Sequence, residues 1–199
     1  MSHRDKVIFS AATGFVLNLT YALYHSALGI YWDSLWFLIL GAYYIVLSVM
    51  RFSAVLYDLR RKNSPSLSEQ FLAPLLGALL ILLSVILAFS VYLSFHYDVA
   101  IQYQEIMMIT IATYTFYKIT LAIVNAVKAH KQRSQLLIAI RNIGCADAAA
   151  SLLTLQRSML VSFEGMSTRE IGIMNALTGA GVCILTASLG IYMILKKEN

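Results

Sequence analysis

The chain of 199 residues is 59% hydrophobic and only 13% charged, with a mean hydropathy of +0.72, whereas a water-soluble domain carries roughly 45–50% apolar and about 25% charged residues. A bilayer is the solvent that fits this composition, and because no long polar stretch separates the apolar segments, residues 1–199 read as a single domain. The net charge of +5 does not point to nucleic acid, because the basic residues punctuate the apolar runs instead of lining one face of a soluble fold.

Runs of about 20 apolar residues predict an all-α integral membrane protein, a bundle of six transmembrane helices near 7–28, 34–57, 72–95, 105–128, 135–159 and 171–195. The first run follows His3, Arg4 and Lys6. It is long, contains Asn18 and Thr20 and has no clear small-residue cleavage site, so it reads as a retained helix and not as a signal peptide. Gly14, Asn18, Tyr21 and His25 recur along it with helical period, and Tyr44, Ser48 and Arg51 do the same in the second run, toward Asp58. The segment "DLRRKNSPSLSEQ" breaks the chain there, and Pro74 falls in the first turn of the third helix, where its missing N–H costs nothing.

The third helix, "FLAPLLGALLILLSVILAFSVYLSF", holds only isolated serines and is predicted to face lipid most. On the fourth, Tyr114, Lys118 and Asn125 share one side. The fifth is interrupted by Arg141, Asn142, Gly144 and Asp147, which makes it the foremost candidate of the six for a broken or misplaced span, and its polar stripe continues through Ser151, Thr154 and Ser158. The sixth carries Asn175, Thr178 and a small-residue ladder of Gly179, Cys183 and Ala187 that suits close helix packing.

Loop charges set the expected orientation. Arg4 and Lys6, Arg60 to Lys62, Lys128, Lys131 and Arg133, and Lys196 and Lys197 all fall on the side shared by the two termini. The opposite loops are assigned Arg157 and Arg169, with Asp33, Asp98, Glu105, Glu164 and Glu170, and with Trp32, Trp36 and Tyr97 at the headgroup boundary. Positively charged segments stay inside during insertion, so both termini are predicted cytoplasmic in a cell (plasma) membrane.

Arg51 precedes Arg60 by nine residues, so it lies roughly 13 Å deeper than the basic cluster at about 1.5 Å per residue. Lys118 and Arg141 reach similar depths, roughly 12–15 Å from the same side, and Asp147 reaches about 20 Å. Each such charge costs on the order of 2.5–3.5 kcal/mol at a helix centre, so the layer needs partners or water. Arg141 and Asp147 stand about 120° apart on the helical wheel; Asp147 must therefore look across to Lys118 or Arg51. One pair would leave a surplus of about two positive charges, which motivates a wet central cavity for an anionic group. The substrate-binding set read from the sequence is Arg51, Lys118, Arg141 and Asp147, with Tyr44, Tyr114 and Asn18 beside them.

Other chemistry finds little purchase. Cys145 and Cys183 read as small apolar residues within spans. His25, His96, Asp33, Asp98 and Glu105 match no ligand spacing and read as interface polarity, so neither a metal nor another cofactor is expected. There is no Walker A lysine motif, HExxH, CxxC or GxSxG, and "NALTGAGVC" is no dinucleotide loop. An enzyme is not expected; one acting on lipid headgroups would leave Asp147 or His130 to work nearly alone. The functional expectation is a multi-pass transporter, or the substrate-binding membrane subunit of one, for a small polar or anionic solute. In size and helix count the chain is similar to the substrate-binding subunits of energy-coupling-factor vitamin transporters, a likeness of overall build. The rival is a non-catalytic membrane scaffold or regulatory partner whose buried charges are structural. Its interface, around Gly179, would meet a second membrane protein or a second copy of the chain. In either reading the lipid bilayer is the first partner.

Overall fold

Six helices follow one another in the computed structural model, which describes residues 3–63, 72–96, 105–128, 135–162 and 167–195. They are α1 His3–Tyr31, α2 Leu35–Asn63, α3 Leu72–His96, α4 Glu105–Lys128, α5 Gln135–Ser162 and α6 Thr168–Leu195. The described chain is all-helical. Four of the helices, α2, α3, α5 and α6, are long and apolar enough to cross a membrane, and α4 carries a shorter apolar stretch, Met108–Val124.

All the helices but α4 outrun the apolar segments, because hydropathy marks a solvent boundary, whereas backbone hydrogen bonding stops where a cap stops it. At the start of α6, the Ser167 N–H donates to Glu170 Oε2 at 2.8 Å and the Glu170 N–H reaches back to Ser167 Oγ at 3.4 Å. This reciprocal cap places the first turn ahead of the apolar run. At the end of α1, Asp33 takes a left-handed conformation, φ 47°, and the Ser34 N–H closes on the Gly29 carbonyl at 3.0 Å. Aspartate tolerates that conformation better than most residues, and it turns the chain directly into α2.

Helix α5 is the axis of the bundle and packs against all five others, while α4 packs its backbone only against α5 among the described residues. The fifth helix, the foremost candidate for a broken or misplaced span, is unbroken from Gln135 to Ser162. Its polar side chains find acceptors without disturbing the backbone ladder: Ser151, Thr154 and Ser158 donate to the carbonyls of Asp147, Ala150 and Thr154. Helix α3 was expected to face lipid most, and the structure reverses this. In its apolar window 44% of residues are buried, against 33% for α2 and 28% for α6, whereas on α4 only Thr115 is buried among the described side chains. A uniformly apolar helix serves a protein core and lipid equally well, so its composition cannot tell them apart.

The α3–α6 contact shows how close such packing becomes. A Cβ placed on Gly77 would come within 2.7 Å of the Gly190 carbonyl oxygen, and one on Gly190 within 2.8 Å of the Gly77 oxygen. Farther along, Ser84 Oγ donates to the Cys183 carbonyl at 3.0 Å and Gly179 accommodates Val91. Gly179 and Cys183 of the small-residue ladder thus pack closely against α3 within the chain.

Candidate functional site

The inward stripes of α1 and α2 meet. Tyr44 stacks on Tyr21 with ring centroids 5.3 Å apart, His25 lies 5.4 Å from Tyr44, and Phe15 meets Phe52 at 5.5 Å. About two turns along from the Tyr21–Tyr44 stack, Gly14 leaves room for the Arg51 guanidinium, which α2 directs toward α5. There Arg51 Nη2 donates to Asp147 Oδ2 at 2.9 Å. From the other flank Lys118 Nζ donates to Asp147 Oδ1, also at 2.9 Å, and to Ser151 Oγ at 3.0 Å.

Asp147 thus joins α2, α4 and α5 through one carboxylate whose side chain is only 5% exposed. The expectation was one counter-ion, Lys118 or Arg51; the structure brings both. Three formal charges in contact sum to +1, so the centre keeps a net positive charge while each ion has a charged hydrogen-bond partner. The Lys118 ammonium also stands 5.0 Å from the Tyr114 ring centroid, where the face of the ring attracts a cation.

The remaining predicted residues divide. Tyr44 and Tyr114 belong to this neighbourhood through their ring contacts. Asn18 is buried on the α1 stripe at 2% exposure, and its Nδ2 has no acceptor among the described residues. Arg141 stands apart from the Asp147 pair: its Nε and Nη2 approach Asn142 Oδ1 at 3.3 Å, and no ion pair of Arg141 is formed among the described residues. The side chain of Asn125 lies outside the described residues, as do Asp98 and His130. Among the described residues no three metal-ligating side chains gather; His25 Nδ1 lies instead 2.8 Å from the Tyr21 carbonyl oxygen.

Beside the ionic centre a cleft of about 540 Å³, its open mouth included, runs between α2, α3, α5 and α6 at the end of the bundle that holds the α1–α2 turn. Ser151 belongs to both: its hydroxyl receives Lys118, and it lines the cleft. Tyr43, Tyr44, Ser90, Thr154, Arg157 and Asn175 contribute the other polar groups, and the walls between them are aliphatic.

No family model, curated protein or solved structure matches the chain.

Sequence reasoning missed Arg157, which it assigned to an outer loop. The residue lies inside α5, 8% exposed, because the helix continues to Ser162. The available signal was the α5 stripe itself, since Thr154 and Arg157 are three residues apart and so neighbours on one helical face. Tyr43 was also missed; its neighbour Tyr44 has the stripe spacing, yet Tyr43 is the more buried of the two, at 4% exposure. Chemically, the arrangement offers hydrogen-bond donors and net positive charge around an apolar slot. Within it the Asp147 carboxylate is engaged by two cations.

Proposed function

We propose that this protein is a six-span membrane transporter, or the solute-binding membrane subunit of one, with both termini cytoplasmic in the cell membrane, and that it handles a small polar or anionic solute. The observation that carries the reading is the Ser151 hydroxyl, which connects the Arg51–Asp147–Lys118 centre to a cleft with mostly aliphatic walls. A few polar groups on mostly apolar walls are typical of small-molecule sites. Ionisable groups within a membrane mark pathways more often than scaffolding. The basic clusters at both termini and in the loops after α2 and α4 support the orientation, and by that orientation the cleft opens outward.

The test combines water access with uptake. In a background lacking Cys145 and Cys183, Thr154→Cys is treated from each side with a membrane-impermeant thiol reagent, with Arg169→Cys as the surface control. Labelling of Thr154→Cys from the outer side is the expected result. In proteoliposomes, uptake of at least one of radiolabelled acetate, benzoate or octanoate is expected to exceed that of an Asp147→Asn protein. Protection from both sides while the control reacts, together with no uptake, would overturn the proposal in favour of a structural role for the charges.

A further inference from the structure

Within the cleft, two buried polar groups have no role in the ionic centre. Tyr43 forms part of the wall, is 4% exposed, and its hydroxyl has no hydrogen-bond partner among the described residues. A buried hydroxyl left unmade is costly and calls for an atom to receive it. Arg157, on the same wall, is a buried cation whose five N–H donors form a planar fork matched to a carboxylate. Between Arg157 and Ser151 the α5 backbone covers about 9 Å, and Leu40, Leu87 and Leu153 line the slot with hydrocarbon.

We infer that the cleft binds an amphipathic monocarboxylate: the carboxylate on Arg157, an oxygen of the ligand accepting from the Tyr43 hydroxyl, and an apolar body lying along the aliphatic walls. This rests on the reading of the cleft as a solute site and narrows it to one substrate class. The alternatives fit less well. A bare inorganic anion would present more oxygens than these largely aliphatic walls can supply with donors. An amine would meet the guanidinium. A neutral alcohol would offer the planar guanidinium fork one oxygen where a carboxylate offers two. The same chemistry could come from an acidic bilayer lipid or from a free acid; the enclosed position of Tyr43 favours the smaller free acid.

The experiment is equilibrium binding of radiolabelled octanoate to the full chain in phosphatidylcholine nanodiscs, with acetate, octan-1-ol and octylamine as competitors. Octanoate is expected to bind and to displace itself. Acetate, octan-1-ol and octylamine at equal concentration are expected to displace it poorly. Arg157→Gln should weaken binding about tenfold or more, and Tyr43→Phe by about three- to tenfold, from the loss of a charged and a neutral hydrogen bond. Octan-1-ol competing as well as octanoate, or unchanged binding by both variants, would overturn the inference. So would abolition of binding when phosphatidylglycerol replaces phosphatidylcholine, which would assign the cleft to lipid. Should Arg157→Gln not fold, the competition series on the unaltered protein and Tyr43→Phe, which deletes a single oxygen, still decide. Uptake of acetate by a protein that does not bind octanoate would leave the transport proposal standing and remove this one; octanoate binding without any uptake would do the reverse.

Discussion

Gly14 of α1 and Arg51 of α2 share one volume: a Cβ on Gly14 would stand 2.5 Å from Arg51 Nη1 and 2.7 Å from its Cζ. The glycine is what lets a guanidinium pass between two helices to reach Asp147. Gly14→Ala is expected to push the Arg51 head off the carboxylate at a cost of about 1–3 kcal/mol, the usual range for overpacking. In an Arg51→Met background the same change should cost about 1 kcal/mol less, because the displaced contact is already gone. Thermal unfolding of the four proteins in one detergent measures the coupling, and strictly additive effects would contradict the shared volume.

Asp147 compensates two cations at once. Asp147→Ala leaves Arg51 and Lys118 facing each other in a buried place, a change expected to destabilise by about 3–5 kcal/mol. Adding Lys118→Met removes half of the stranded charge, so the double variant should be more stable than the single one. A double variant no more stable than Asp147→Ala would show that the surroundings, and not the carboxylate, neutralise the lysine.

Helix α4 has backbone contacts with α5 alone among the described residues, and Lys118 is the α4 side chain that bonds directly to Asp147 and Ser151. Lys118→Met is expected to loosen α4 by about 1–3 kcal/mol, the worth of charge-assisted hydrogen bonds, without loosening α3 or α6. Hydrogen exchange followed by mass spectrometry would show faster exchange confined to α4 peptides. A uniform change along the chain would mean that the bond supports the whole bundle.

Glycines with different surroundings should respond oppositely to alanine. Gly77 faces the Gly190 carbonyl oxygen, a backbone atom that cannot rotate away, so Gly77→Ala must separate α3 from α6 and is expected to cost about 2 kcal/mol or more. Gly144 and Gly181 have nothing within 4 Å of an added Cβ. Gly144→Ala and Gly181→Ala are therefore expected to be neutral or to stabilise by up to about 1 kcal/mol through helix propensity. Comparing their melting temperatures with that of the parent protein tests the ranking.

Much of this arrangement is legible in the residues alone. Six apolar runs locate six helices, and 105–128 coincides with α4 end to end; the helical spacing of Gly14, Asn18, Tyr21 and His25 marks the face that α1 turns toward α2. That Arg51 points inward and that Asp147 looks across to another helix follow from depth and from the cost of burying charge. These are properties of single helices in a given solvent, and a sequence states them directly.

What the tertiary structure decided is which surfaces meet. Asp147 receives both Arg51 and Lys118, not one of them, because α5 stands between α2 and α4, an adjacency that no spacing within α5 encodes. Helix α3, apolar all round, turned out to be packed against its neighbours, and the Gly179 ladder to be filled by α3 itself. Arg157 and Tyr43 became neighbours of one cleft only when four helices closed around it. Hydrophobicity tells a residue to leave water and is satisfied by lipid or by protein alike. The choice between them rests on shape and on the few buried charges that must find one another, and both are settled between helices.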